Sequence, residues 1–197
     1  MTTDNFDVSG LFYDWNNFPC RKYLNIKIKN TKLVEPDLMV IMMNPGSSKP
    51  IEEKYNIETP TKPDTTQKQI MAVMTNCQFE YARILNLSDI REPKSQLFFK
   101  TIASLENNHG HSIFSSERIN DFKVLFNTQV PILLAWGVNK KLLPLAIPAS
   151  KIIKDNDCFG WLKENSHLAY YHPLPRKKEK QLKWVHTITN NIKNQLK

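Results

Sequence analysis

"LMVIMMNPGSS", residues 38–48, sets a wholly apolar run directly against Asn44-Pro45-Gly46. A short apolar run without alternation reads as a strand covered on both faces. The amide, rigid ring and bare backbone that follow read as a fixed turn at the carboxyl end of that strand. The same design recurs far down the chain in "LAYYHPLPRKKEK", residues 168–180, where an apolar run ends in His172-Pro173.

Working outward from these two stretches, strands are predicted at 38–43, 82–87, 130–136 and 167–172. The alternating "YLNIKIKN" at 23–30 is a weaker candidate for an edge strand or hairpin. Helical patterns fall between the strands. Residues 65–80 carry Ile70, Val73, Met74 and Cys77 on one stripe, with Asp64 and Gln67 at capping-box spacing. Residues 115–128 begin with serine caps and align Ile119, Phe122 and Phe126. A helix over 138–146 is shortened or kinked by Pro144. The last helix, 178–196, aligns Leu182, Val185, Ile188, Ile192 and Leu196. The Pro-rich 49–64 reads as a long loop. Strand and helix in alternation predict one α/β domain over 1–197, a three-layer α/β/α arrangement with a mainly parallel central sheet.

Composition narrows the functional classes. With 197 residues, 41% hydrophobic and 10% aromatic, the chain has enough apolar material for a core. No apolar run is long enough to span a bilayer, and the polar, acidic "MTTDNFDVSG" lacks the regions of a signal peptide, so a cytoplasmic location and no membrane partner are expected. Cys20, Cys77 and Cys158 are far apart and form no C-x-x-C pair, which suits free thiols in a reducing compartment. His109 and His111 in "NNHGHS" resemble a metal pair, but no third ligand accompanies them; a surface loop, with no metal or cofactor, is the expectation. The formal charge of +8 favours polyanionic partners, and "RKKEKQLK" (176–183) concentrates it just after His172.

Four predicted strands end in polar or turn-forming residues: Asn44-Pro45-Gly46, Asn86, Trp136-Gly137 and His172-Pro173. Ligands of open α/β sheets collect beyond the carboxyl ends of strands. Asn and His can orient water, bind a base edge or stabilise charge, and Gly46 lets a ligand approach the backbone. Taken singly, each has a plainer reading: a turn, a loop cap or a hydrogen-bonded structural histidine. Their shared position at strand ends is what marks a site.

In this order, "MNPG", "LN", "LLAWG" and "HPLPR" resemble the uracil-DNA glycosylase superfamily. "MNPG…HPLPR" is closest to its single-strand-selective branch, whose pattern is MNPG and HPSPR, and the mismatch-specific branch is similar at N-P-G. "VIMMNPGSS…PDTTQKQI…ILNLSDIREP…AWG…HPLP" also looks like a bacterial and phage family of unknown function with NPS-x-A-D, D-x-T, NL and HPL motifs. The chain departs from the single-strand-selective branch in two places. The loop after Gly46 lacks the glycine- and phenylalanine-bearing sequence that stacks on uracil, and Leu174 stands for the Ser of HPSP. Both bear on the choice of base more than on the fold.

The resemblance implies a metal-independent DNA glycosylase that flips a nucleotide and hydrolyses its N-glycosidic bond, in repair or antiviral defence. Asn44 would position the attacking water and His172 would donate to the base oxygen as charge develops. Asn86 would read the base edge, with Gly46 beside it. Tyr55 would be a stacking wall, or else pack on the core. Asp64 and Thr66 would face the pocket, or Asp64 would only cap its helix. Arg176 would wedge into the duplex, with Lys177 and Lys178 on phosphates. DNA is then the partner and a monomer the expected state; a changed pocket loop points to a modified base other than plain uracil. A non-catalytic nucleic-acid or nucleotide-binding module and a small-molecule hydrolase remain as competing readings.

Overall fold

An Asn-Asn turn starts the architecture. In the computed structural model, which describes residues 3–106 and 108–195, Asn16 and Asn17 both lie in the left-handed region, at φ 48° and 64°. Two such residues in succession form the tight turn whose twist matches a β-hairpin. The hairpin joins β1 (Phe6–Trp15) to β2 (Phe18–Ile28), paired from Phe6↔Ile28 to Trp15↔Phe18. The remaining strands are β3 (Leu38–Met42), β4 (Glu58–Pro60), β5 (Tyr81–Asn86), β6 (Ile132–Leu134) and β7 (Cys158–Gly160).

The protein is therefore mixed α/β, with one seven-stranded sheet ordered β4-β1-β2-β5-β3-β6-β7. The expected mainly parallel sheet is corrected. β5, β3, β6 and β7 run parallel, whereas β4, β1, β2 and β5 pair antiparallel, and the hairpin has the longest ladder. The cause is the hairpin itself, which needs no crossover helix and so can only add strands antiparallel. The stretch 23–30 belongs to that hairpin, but it lies inside the sheet between β1 and β5, not at an edge. Residues 49–64 are not wholly loop either, because β4 closes the sheet there.

Helices α1 (Thr65–Cys77), α2 (Ser95–Ser104), α3 (Ile119–Leu125), α4 (Leu143–Ile152) and α5 (Lys178–Gln195) cover the sheet. β3 shows how they divide. Leu38, Val40 and Met42 pack with Ile70, Val73 and Met74 of α1 and Trp184, Ile188 and Ile192 of α5. Met39 and Ile41 face the opposite way, toward Phe98 of α2, Phe122 of α3 and Leu145 and Ala149 of α4. Burial on both faces is why this strand has no polar alternation.

Four local expectations are revised. Pro144 lies in the first turn of α4, where its missing N–H is harmless, so the helix starts there instead of breaking. Ile119, the first residue of α3, is 37% exposed, while Phe122 and Phe126 are buried and stacked. On α5 the buried stripe is Trp184, Ile188 and Ile192; Leu182 faces solvent, and Leu196 lies outside the described residues. Residues 167–172 form no strand. Tyr170 makes isolated bridges to Gly137 and Leu162; backbone N–H groups of Gly137, Lys163 and Tyr171 bond across the segment, and two indoles add to them, Trp136 donating to the Leu168 carbonyl at 2.7 Å and Trp184 to that of Tyr171 at 2.8 Å. Gly160 permits this segment's close approach, since a Cβ there would run into the Tyr170 ring and the Leu134 carbonyl.

Candidate functional site

Beyond the carboxyl ends of β3 and β5, two loops are tied together. Ser88 N–H donates to the Met43 carbonyl at 3.1 Å, and the Arg91 guanidinium donates to the Ser48 carbonyl. Within the first loop, Ser48 N–H closes a turn on the Pro45 carbonyl at 3.3 Å, with Gly46 at φ 62°. That left-handed backbone is the reason for glycine at this position. Asn44 Nδ2 then donates to two carbonyls of the second loop, Ile90 at 3.2 Å and Glu92 at 2.8 Å. With both amide protons engaged, Oδ1 is the atom left to accept a hydrogen bond.

Asn44 and His172 line one cleft of about 380 Å³, together with Pro45, Gly46, Asp64, Thr66, Gln67 and Arg21. Its size falls within the range of small-ligand sites, about 300–1,000 Å³. Leu174 N–H donates to His172 Nδ1 at 3.1 Å, which makes Nδ1 the acceptor and leaves the proton on Nε2. Burial holds the His172 pKa down to about 4, and the Asp64 charge opposes this only in part. The ring is a neutral N–H donor at pH 7.

α1 supplies another wall. Its N-cap Asp64 accepts from Gln67 N–H at 2.8 Å, and Gln67 Oε1 accepts from Asp64 N–H at 3.0 Å. The capping box and a place in the cleft, weighed as alternatives for Asp64, both hold, and Thr66 stands beside it.

The other expected base-binding residues are distributed differently. Gly46 lines the cleft. Tyr55 does not; it is 41% exposed on the loop before β4. Its neighbour Asn56 anchors that loop to β1 through N–H to the Phe12 carbonyl, on a different strand from those that end at the cleft. Asn86 is wholly buried and is not a wall. In the ladder it sits beside Met42 and two residues beyond Ile84, both of which do line the cleft, and neither of its amide atoms has a partner among the described residues. Arg176, Lys177 and Lys178 are exposed and begin two residues after the wall residue Leu174. Trp136 and Gly137 serve packing and turning, the indole lying edge-on to Tyr170 at 5.2 Å. The surface-loop reading fails for His111, which is 1% exposed and bonded through Nδ1 to Ser88 Oγ at 2.9 Å. Among the described residues no three His, Cys, Asp or Glu side chains gather to hold a metal.

Arg21 is the wall residue that sequence reasoning passed over. β1 and β2 slip register between Leu11 and Phe12, so Leu11 pairs with Tyr23, Phe12 with Arg21, and Lys22 is the extra residue. This bulge turns Arg21 to the face of Val8 and Leu24, while Lys22 reaches Asp121 on the other side at 3.2 Å. The one available signal was a charged pair, Arg21-Lys22, interrupting an otherwise half-apolar stretch.

Fold and site together define a mixed α/β domain with a cleft of mixed polar and apolar lining at the carboxyl ends of its parallel strands, the usual place for a ligand in such sheets. The chain matches, over residues 24–174, the family described as protein of unknown function (DUF1643), and it belongs to that family. No curated protein and no solved structure matches it.

Proposed function

We propose that the chain is a DNA glycosylase that hydrolyses the N-glycosidic bond of an altered or modified pyrimidine, in repair or antiviral defence. The reading joins the motif resemblance to one observation: an oriented amide and a neutral imidazole N–H open on the same cleft. The Asn44 carbonyl oxygen holds a water against C1′ of the flipped nucleotide. As the C1′–N bond breaks, its electron pair goes to the base and negative charge collects on the base carbonyl. His172 Nε2–H donates to that oxygen, an interaction typically worth about 3–4 kcal/mol in the transition state. Water adds to C1′, and its proton neutralises the base anion in the net reaction. Arg176, Lys177 and Lys178 hold the backbone at the edge of the cleft.

The test is mass spectrometry of free bases released from genomic and phage DNAs of varied modification. Release is expected for at least one DNA. His172→Ala should lower the rate by about 10²–10³-fold, as loss of a single oxyanion donor does. Unchanged rates in both Asn44→Ala and His172→Ala would remove the proposed roles.

A second reading is favoured by the positions of Tyr55 and Asn86, neither of which lines the cleft. A domain without an open base-reading set would bind nucleic acid and release nothing. Salt-sensitive DNA binding without base release on any DNA would select it.

A further inference from the structure

Most of the buried polar groups left without partners lie at one end of the sheet. Among the described residues eight buried side-chain N or O atoms lack a hydrogen bond, and six of them belong to Arg21, Ser48, Asn86 and Asp89. Ser48 belongs to the loop after β3, while Asn86 and Asp89 stand at the end of β5; Arg21 N–H donates to the Asp89 carbonyl at 2.9 Å, so it is aligned with that same end. Buried polar groups are otherwise almost always paired, so such a concentration marks a place completed by something else.

Arg21 is the strongest member. It is 3% exposed, it lines the cleft, and its Nε and Nη1 have no acceptor. No carboxylate lies within ion-pair distance of it among the described residues. Asp64 caps α1 through Oδ1, and Asp89 holds Arg118 and Tyr13 through Oδ2; the charges of both act on Arg21 without a direct bond, and Asp64 and Glu92 stand in the same cleft wall. Thr65 and Thr66, the first residues of α1, line the same cleft, and backbone N–H groups at a helix start lack intrahelical acceptors. An unpaired buried guanidinium and a helix N-terminus facing one space form a site for an anionic oxygen.

We propose that the part of the cleft walled by Arg21 and the start of α1 is an oxyanion subsite that takes a carboxylate or phosphate group of the ligand. The proposal deepens the glycosylase reading by naming a substrate feature: an acidic substituent on the base, or the phosphate of the extruded nucleotide. Arg21 is then a specificity-determining residue. The fork geometry of guanidinium suits either group, and a neutral carbonyl would leave its charge offset only by the unbonded Asp64 and Asp89 carboxylates.

Isothermal titration of the full chain tests it with four probes: uracil, 5-carboxyuracil, deoxyuridine monophosphate and inorganic phosphate. At least one anionic probe should bind tighter than uracil by about 10-fold or more, the usual scale of a charge-assisted hydrogen bond. Preference for 5-carboxyuracil assigns the subsite to the base, and preference for the two phosphates assigns it to the backbone. Arg21→Gln should erase the preference and Arg21→Lys should restore part of it. The ranking of probes on the unaltered chain does not depend on whether either variant folds. Anionic probes that bind no tighter than uracil, or a preference that survives in folded Arg21→Gln, overturn the proposal. Anion binding without base release from any DNA would sink the glycosylase reading and leave the subsite standing.

Discussion

At position 44 an amide can do what a carboxylate cannot. Both protons of Nδ2 go to backbone carbonyls, so aspartate there would set a negative oxygen against the Ile90 and Glu92 carbonyls. Asn44→Asp should therefore destabilise the fold by about 1–3 kcal/mol, the usual penalty for a buried acceptor left unpaired, read by thermal unfolding. If Asn44→Asp is as stable as the parent, the amide is not oriented in this way. His172 carries a prediction about pH. Its pKa is lowered from 6.5 to about 4 by burial, so the imidazole stays neutral as pH falls through 6.5. The rate of base release should show an acid limb near pH 4 and none near 6.5. A limb at 6.5 that disappears in His172→Gln would contradict the neutral-donor role.

Among the elements, the irregular segment before His172 governs more than its lack of ladder suggests. Trp184, wholly buried on α5, donates to the Tyr171 carbonyl, one residue from the imidazole. Trp184→Phe removes that bond and part of a wholly buried ring, at a cost of about 1–3 kcal/mol in stability. Base release should fall further than the unfolding free energy explains, because His172 loses its anchor. Equal losses in the two measurements would make the indole purely structural. α5 also begins against its own dipole. Lys177, Lys178 and Lys180 crowd the positive end of the helix, with Glu179 the one acidic residue in the first turn. Replacing Lys177 and Lys178 by Glu should stabilise the protein by about 0.3–1 kcal/mol per charge while weakening DNA binding and flattening its salt dependence. Binding that keeps its salt slope would place the DNA contact elsewhere.

Across the whole molecule, two histidines share one titration. Burial lowers both His111 and His172 to about 4, below the 6.5 of an exposed imidazole. Between those values each of these histidines binds more proton in the unfolded chain, so its contribution to stability is full above 6.5 and is lost as pH falls toward 4. Asp89, buried and raised from 3.8 to about 6, takes up its proton earlier in the native state and opposes this loss. The readout is therefore the difference between variants: between pH 7 and pH 4 the melting temperature of His111→Gln should lose less, or gain more, than that of the parent, and an identical pH profile would contradict the buried neutral His111. The long sequence reach of the contacts explains which features were legible without coordinates. The two-sided burial of β3, the capping box of Asp64 and Gln67, and the amide and imidazole at segment ends are set by residues adjacent in the chain, and periodicity and turn chemistry reveal such features. The antiparallel half of the sheet, Arg21 in the cleft wall, Asn86 behind it and Tyr55 away from it depend on which strand lies beside which and in what register. A one-residue slip at Lys22 reverses the face of Arg21, and no local pattern encodes a slip against a partner strand. Sequence by itself determined an α/β chain with Asn44 and His172 at the ends of apolar segments; the tertiary structure decided that they share a cleft and that a buried arginine joins them there.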